Sequence, residues 1–146
     1  MDRKKFFKSC GLACLGGIGA VSLLQSCTGS KIVSGKINDS DLIIAADDFI
    51  IKNIKEIKFK SYVVVQNDLL KFPICVYRIN ENDYKALYME CSHQGAELQV
   101  FGSKLQCPAH GSEFTNSGAV SNGPADKALR TFPVTITNDQ LKISLK

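Results

Sequence analysis

From Leu42 onward the chain breaks into short runs of β-branched and aromatic residues, and turn residues interrupt them at intervals of ten or so positions. The runs are LIIA, SYVVVQ, PICVYRI, YKALYME, ELQVF, FPVTIT and LKISL, and the interruptions are QND, NEND, FGSK, TNSG, SNGP and TNDQ. β-branched and aromatic side chains suit a pleated, half-buried surface, whereas Gly, Pro, Asn and Asp accept the dihedrals of tight turns. No long stretch in this part holds a helical period, although DFIIKNIKEIKF is ambiguous. The pattern predicts an all-β fold, an antiparallel sandwich or barrel, closed by a hairpin in which TND joins VTI to LKISL. At 146 residues there is length for one domain with a core of moderate size.

The N-terminus is different in kind. MDRKKFFKSCGLACLGGIGAVSLLQSC has a basic start, an apolar run rich in Gly and Ala, and a short site ending in cysteine, which is the layout of an export signal. As a helix, Ser9 to Leu24 would span ~24 Å, short of the ~30 Å hydrocarbon core. LQSC, Leu24 to Cys27, resembles the lipobox of bacterial lipoproteins, in which the cysteine is acylated and becomes the mature N-terminus. DRKKFFK resembles the twin-arginine export motif, with Lys4 in place of the second arginine. That route carries folded proteins, so a cofactor can be inserted beforehand. The implied organisation is a signal over 1–27, a small and polar tether or lead-in to the first strand over 28–40, and one domain over 41–146, exported and held to a membrane through a lipid on Cys27.

The signal also explains the charge. The formal charge of +4 comes mainly from Arg3, Lys4, Lys5 and Lys8; without the first eight residues the chain has 14 basic and 13 acidic side chains. No broad basic face remains for nucleic acid. Of the six cysteines, Cys10 and Cys14 fall inside the signal and Cys27 at its end, so Cys75, Cys91 and Cys107 are left for the domain. That leaves little for a disulfide framework. Cys75, within FPICVY, reads as a buried core thiol.

Cys91 and Cys107 are different, because the two histidines of the chain stand beside them. CSHQGAELQVFGSKLQCPAHG holds Cys91-x-His93, thirteen intervening residues, then Cys107-x-x-His110. The interval contains ELQVF, a turn at Gly102 and KLQ, which is a hairpin. A hairpin returns the chain to its start, so the two loops lie side by side at one end of a sheet. Four soft or borderline ligands then meet at one place, as in a metal site. A structural zinc takes two Cys and two His, but usually as a Cys pair and a separate His pair. One of each per loop suits a [2Fe–2S] cluster, with two Cys on one iron and two His on the other. Unligated loop residues are the third reading.

CSHQGA and CPAHGS resemble, in order and spacing, the two cluster-binding boxes of the Rieske iron–sulfur proteins, and GPADKALRTFPV resembles the proline-containing loop and strand that follow. The resemblance covers about residues 60 to 145. It implies a Rieske-like antiparallel β-sandwich with a small cluster-binding subdomain made of the two loops. It further implies one [2Fe–2S] cluster per chain, with Cys91 and Cys107 on the buried iron and His93 and His110 on the outer one. Respiratory and photosynthetic members carry a further cysteine in each box and join the two in a disulfide; those places are Ala96 and Ala109 here. Ser112 matches a serine that donates a hydrogen bond to cluster sulfur, while the place of a tyrosine that does the same is Phe114. Donors to sulfur favour the reduced cluster, so the missing hydroxyl implies a potential below that of the high-potential members, within a family span of roughly −150 to +300 mV. Without that disulfide, the resemblance implies that the two loops are held by the cluster, by hydrogen bonds from their glycine-rich backbones and by the loop around Pro124.

One-electron transfer in a membrane-associated, exported protein is the leading function. Two ferric ions, two sulfides and two thiolates sum to zero with neutral imidazoles, so this site accepts an electron more readily than a four-thiolate cluster starting at −2. A Rieske oxygenase subunit needs two more histidines for its mononuclear iron, and both histidines of this chain are already used. The alternatives are the Rieske subunit of a cytochrome bc-like, quinol-oxidising complex and the ferredoxin component of an oxygenase. The partner is then a redox protein or a quinol.

Overall fold

The computed structural model describes residues 31–52 and 55–146. Its first strands are β1 (Ile32–Ser34), β2 (Lys36–Asn38) and β3 (Asp41–Ala45), followed by a 3-10 turn, Ala46–Phe49. Next come β4 (Ile50–Lys52), β5 (Ile57–Phe59), β6 (Tyr62–Gln66), β7 (Ile74–Arg78) and β8 (Tyr84–Tyr88). The cluster-box region holds β9 (Gln99–Phe101), β10 (Lys104–Gln106), β11 (Glu113–Thr115) and β12 (Val120–Asn122). The chain closes with β13 (Thr131–Phe132), β14 (Val134–Thr137) and β15 (Gln140–Ser144). The all-β, mainly antiparallel fold read from the sequence is what the structure has.

Alternation along β7 organises the layers. Successive side chains of a strand point to opposite faces. Ile74 and Val76 therefore enter one core, and Cys75 and Tyr77 the other. All four are buried, which is why PICVY is an almost unbroken apolar run. The central sheet has the order β1-β6-β7-β8-β13. On one face it meets the sheet β14-β15-β3-β2, and Val63, Val65, Ile74 and Val76 pack with Leu42, Ile44, Leu141 and Ile143. On the other face it meets β12-β11-β10-β9, and Cys75, Tyr77 and Leu87 pack with Leu105, Phe114, Cys91 and Cys107. Each such aliphatic side chain contributes about 1.5–3 kcal/mol when buried. The second core is the one that carries the two loops.

The hairpin at TND is present. Thr137 pairs with Gln140 across Asn138 and Asp139, whose φ values are 48° and 59°. Both central residues are left-handed, as a two-residue hairpin loop requires. DFIIKNIKEIKF resolves into the 3-10 turn and the β4–β5 pair.

One boundary needs correction. Residues 28–40 read as a tether or a lead-in to the first strand, and β1 and β2 already lie within them, β1 paired parallel with β6 and β2 antiparallel with β3. These strands escaped notice because each is a three-residue edge strand with a single half-buried apolar residue, Val33 or Ile37. Gly35 lets the chain pass from one sheet to the other. A Cβ there would lie 2.6 Å from both Leu42 Cδ1 and Val65 Cγ1, so only glycine lets the backbone come this close to the core. The folded part thus begins at or before Lys31, not at 41.

Candidate metal centre

The two Cys–His loops share one backbone frame. In the first, the Cys91 N–H donates to the Ala96 carbonyl at 2.8 Å and the Gly95 N–H to the Cys91 carbonyl at 2.8 Å. In the second, the Cys107 N–H donates to the Ser112 carbonyl at 2.8 Å and the Gly111 N–H to the Cys107 carbonyl at 2.9 Å. Gly95 and Gly111 occupy the same place in each, at φ 72° and 79°, a conformation that side-chain-bearing residues rarely adopt. What differs is the histidine, two residues after Cys91 but three after Cys107. The first loop is closed by the Glu90–Glu97 bridge, and the second by the Gln106–Glu113 pair of β10 and β11. The β9–β10 hairpin, with Phe101 opposite Lys104 across Gly102 and Ser103, sets the loops beside each other.

Side chains from the two loops meet like with like. The His93 and His110 rings lie with centroids 5.0 Å apart and planes at 85°. The Cys91 side chain lies close enough to Cys107 to lower the Cys107 thiol, and both cysteines are buried, at 2% and 1% exposure. His110 is exposed and His93 partly so. Among the described residues, no group of three or more His, Cys, Asp or Glu converges on a single metal ion. A sulfur pair on the inner side and an imidazole pair on the outer side fit the donor set of a two-iron cluster. One atom fits such a group: His93 Nδ1 is buried and has no hydrogen-bond partner among the described residues. A buried polar atom costs free energy unless something meets it, and an imidazole nitrogen is a good iron donor.

The thiols separate into two kinds. Burial pushes Cys107 up, but the backbone N–H groups of His110 and Ala109 and the Cys91 side chain together hold it below its ordinary value. Thiolate is the metal-binding form, and backbone donors converging on sulfur stabilise it. Cys75 shares the same core, yet burial raises its thiol from 9.0 to about 12, with the Tyr77 hydroxyl acting weakly the other way. It remains a protonated core thiol, as its apolar run suggests. All three described cysteines are free.

Neighbouring polar groups tie the loops down. Ser112 is fully buried, and its Oγ accepts the Ala125 N–H at 3.0 Å, which leaves its own proton to donate elsewhere. Ala125 follows Pro124, whose bond to Gly123 is cis, so the proline loop is fixed to the second box through Ser112. Ser92 Oγ donates to the Lys127 carbonyl at 2.6 Å, fixing the first box to the same loop. Asn122 Nδ2 donates to the Gly111 carbonyl at 3.2 Å. Phe114 is fully buried opposite Leu105. Sequence reasoning missed Ser92 and Asn122. Ser92 carries no signal of its own between Cys91 and His93, and Asn122 falls within the SNGP turn signal. Cys10, Cys14 and the lipidation candidate Cys27 lie outside the described residues. Among the described residues no helix is long and apolar enough to cross a membrane.

Comparison with known proteins gives a concordant picture. Residues 48–133 match the family described as Rieske [2Fe-2S] domain. Cytochrome b6-f complex iron-sulfur subunit 1 of Synechocystis sp. is 38% identical over 56 residues, 37% of this chain and 32% of that protein. The cytochrome b6-f complex iron-sulfur subunit of Cyanothece sp. is 29% identical over 83 residues, 56% of this chain and 40% of that protein. The matches thus span well under half the length of these relatives. Among solved structures, the cyanobacterial plasma membrane Rieske protein PetC3 from Synechocystis PCC 6803 superposes with a TM-score of 0.50 at 25% identity, covering 57% of this chain and 86% of that one. A chain from the oxygenase–ferredoxin complex of carbazole 1,9a-dioxygenase shares the fold, with a TM-score of 0.55 at 22% identity, covering 75% of this chain and 96% of that one. More than half of the chain matches the family, and both cysteine–histidine loops fall inside the matched span: the chain belongs to the Rieske [2Fe-2S] domain family.

Proposed function

We propose that this chain is a one-electron carrier, exported and anchored at a membrane surface through Cys27. In this reading Cys91 and Cys107 hold one iron as thiolates, and His93 and His110 hold the other. The observation that carries it is the sorting of the four side chains into a buried sulfur pair and an outer imidazole pair, with His93 Nδ1 buried and unpartnered. When bound, the cluster takes up and returns a single electron. The protein's part is to hold the donors and control their surroundings. The backbone N–H groups of Ala109 and His110 stabilise the Cys107 thiolate, and the second core keeps water from both sulfurs. Among the described residues no group accepts the hydroxyl proton of Ser112, which leaves it free to be directed at the cluster. Exposed His110 provides the point at which a partner meets the site.

Aerobically purified full-length protein is expected to be red-brown, with iron and acid-labile sulfide in equal amounts, two of each per chain, and a rhombic reduced-state EPR signal (from the Cys/His donor set). Zinc, or colourless protein after careful iron–sulfur loading, refutes the donor assignment. Replacing Cys27 by Ser should release the protein from membranes; retention of an unprocessed, membrane-bound chain refutes the lipid anchor.

A second reading has its own support. The two curated relatives are named iron–sulfur subunits of cytochrome b6-f complexes, which favours a quinol as electron donor and a larger complex as the setting. Ala96, Ala109 and Phe114 depart from the pattern implied for such subunits. Rapid reduction by a quinol in isolated membranes, lost on solubilising the protein alone, distinguishes this reading from a free carrier.

A further inference from the structure

The β4–β5 ribbon projects a chemistry that cluster binding does not use. Its segment, IIKNIKEIKFK over 50–60, holds four lysines and one acid, Glu56. In the register of the pair, Ile50 lies opposite Phe59 and Lys52 opposite Ile57. Opposed residues share a face, so Ile57, Phe59 and Lys52 look the same way, with Ile57 74% and Phe59 46% exposed. The Arg78 guanidinium lies 4.1 Å from the Phe59 ring centroid and adds positive charge at its edge. Lys58 makes a solvent-exposed pair with Glu56 at 3.6 Å; the acids preceding the ribbon are Asp47 and Asp48, and the Asp48 carboxylate accepts the Ala45 N–H. Greasy, aromatic and cationic groups on one small surface are the mixture that lies at a bilayer interface.

The position of the ribbon points to the same partner. β1 runs parallel to β6, the Lys31 carbonyl accepts the Val64 N–H at 2.7 Å, and Lys31 Nζ lies 4.2 Å from the Tyr62 ring centroid. The chain therefore enters the central sheet at the Tyr62 end, the end that β5 leads into. The cluster loops leave from the other end, where Met89 N–H bonds the Pro73 carbonyl just before Cys91. From Cys27 to Lys31 is four residues, a reach of at most ~14 Å.

We propose that the β4–β5 ribbon rests on an anionic lipid bilayer, with Ile57 and Phe59 entering the headgroup region, Lys52 and Lys55 meeting lipid phosphates, and Lys58, which alternates to the other face of β5, reaching round the ribbon edge on its long stem to do the same, so that the two Cys–His loops face away from the membrane. The proposal rests on the Cys27-anchored reading for its proximity argument alone.

Holo, full-length chain with Cys27→Ser, which cannot be acylated, is the material for the test. The chain has no tryptophan, so Phe59→Trp gives a single reporter inside the ribbon, insensitive to binding by the N-terminal segment. Its emission is expected to shift to the blue with phosphatidylcholine vesicles containing phosphatidylglycerol, not with phosphatidylcholine alone, and to return in high salt. K52Q/K55Q/K58Q together should weaken the fluorescence-detected vesicle affinity about 100-fold, and singly about 5-fold each, which serves if the triple variant loses its cluster absorption; Lys36→Gln should leave the affinity unchanged. An unshifted emission, an equal shift on neutral vesicles, or a shift produced only by a soluble protein of a membrane extract overturns the proposal. Palmitate labelling of the unsubstituted protein separates the two readings. Label without a tryptophan shift removes the ribbon and keeps the anchor, and a shift without label does the reverse.

Discussion

Ser112→Ala separates two jobs held by one oxygen. Ser112 is fully buried, and its Oγ accepts the N–H of Ala125, itself 5% exposed, at 3.0 Å. Removing the oxygen leaves that N–H buried without an acceptor, at a cost of about 1–3 kcal/mol. The hydroxyl proton is the second job. A hydrogen bond to a charged acceptor is worth about 1.5–3 kcal/mol, and at ~59 mV per tenfold for one electron this converts to ~60–130 mV. That is an upper range, because the bond also forms in part with the oxidised cluster. Potentiometric titration followed by EPR reads the donor role, and the denaturant midpoint for loss of visible absorption reads the acceptor role. The expected result is a fall in potential within that range together with an earlier midpoint. An unchanged potential with a lowered midpoint refutes the donor role. An unchanged midpoint refutes the claim that Ser112 fastens the proline loop.

Phe114→Tyr restores a hydroxyl at a fully buried position, and the potential is expected to rise by up to ~130 mV; a fall or no change refutes the tuning argument. For Cys75, the folded thiol stands at about 12 against 9.0. The folded state therefore holds its proton more tightly, and the stability involved is complete below pH 9 and is lost as pH rises towards 12. Cys75→Ala should flatten this alkaline limb by up to about 4 kcal/mol, checked by denaturant midpoints across that range, and parallel pH curves refute it. Ser92→Ala removes a bond of 2.6 Å to the Lys127 carbonyl and should speed cluster loss about 2- to 10-fold, whereas dithiothreitol should leave the rate unaltered, since no disulfide joins the loops.

Much of the fold, and the pairing of the two cysteine–histidine loops, was legible because local signals and tertiary demands agree. The β7 run is apolar on both faces because two cores claim it, and Asn138-Asp139 accept the left-handed turn that joins β14 to β15. The cysteine–histidine loops stood out because a chain with so few histidines placed both beside cysteines on either side of a hairpin. The edge strands β1 and β2 were not legible. Each has one half-buried side chain, so no alternation shows, and the steric need for Gly35 exists only once Leu42 and Val65 are in place. Ser92 and Asn122 were invisible for a related reason. Their partners, Lys127 and Gly111, lie 35 and 11 residues away, and a small polar residue in a turn gives no sign of a distant acceptor.

The alanines at 96 and 109 raise the question of how two exposed loops keep their separation without a covalent link. A disulfide closing a loop of this length would contribute about 3 kcal/mol through the unfolded chain. Three hydrogen bonds stand in its place: Ser92 to Lys127, Ala125 to Ser112, and Asn122 to Gly111. At about 0.5–1.5 kcal/mol each they sum to roughly 1.5–4.5 kcal/mol, the same scale. The two clamps are not equivalent, however. A disulfide joins the loops to each other, whereas these bonds join the first box and the second box separately to the stretch 122–127, the end of β12 and the proline loop that follows it. The proline loop thus becomes the common brace, and displacement of that one segment loosens both halves of the site together. Since hydrogen bonds do not respond to thiols, the brace holds in reducing as well as oxidising surroundings.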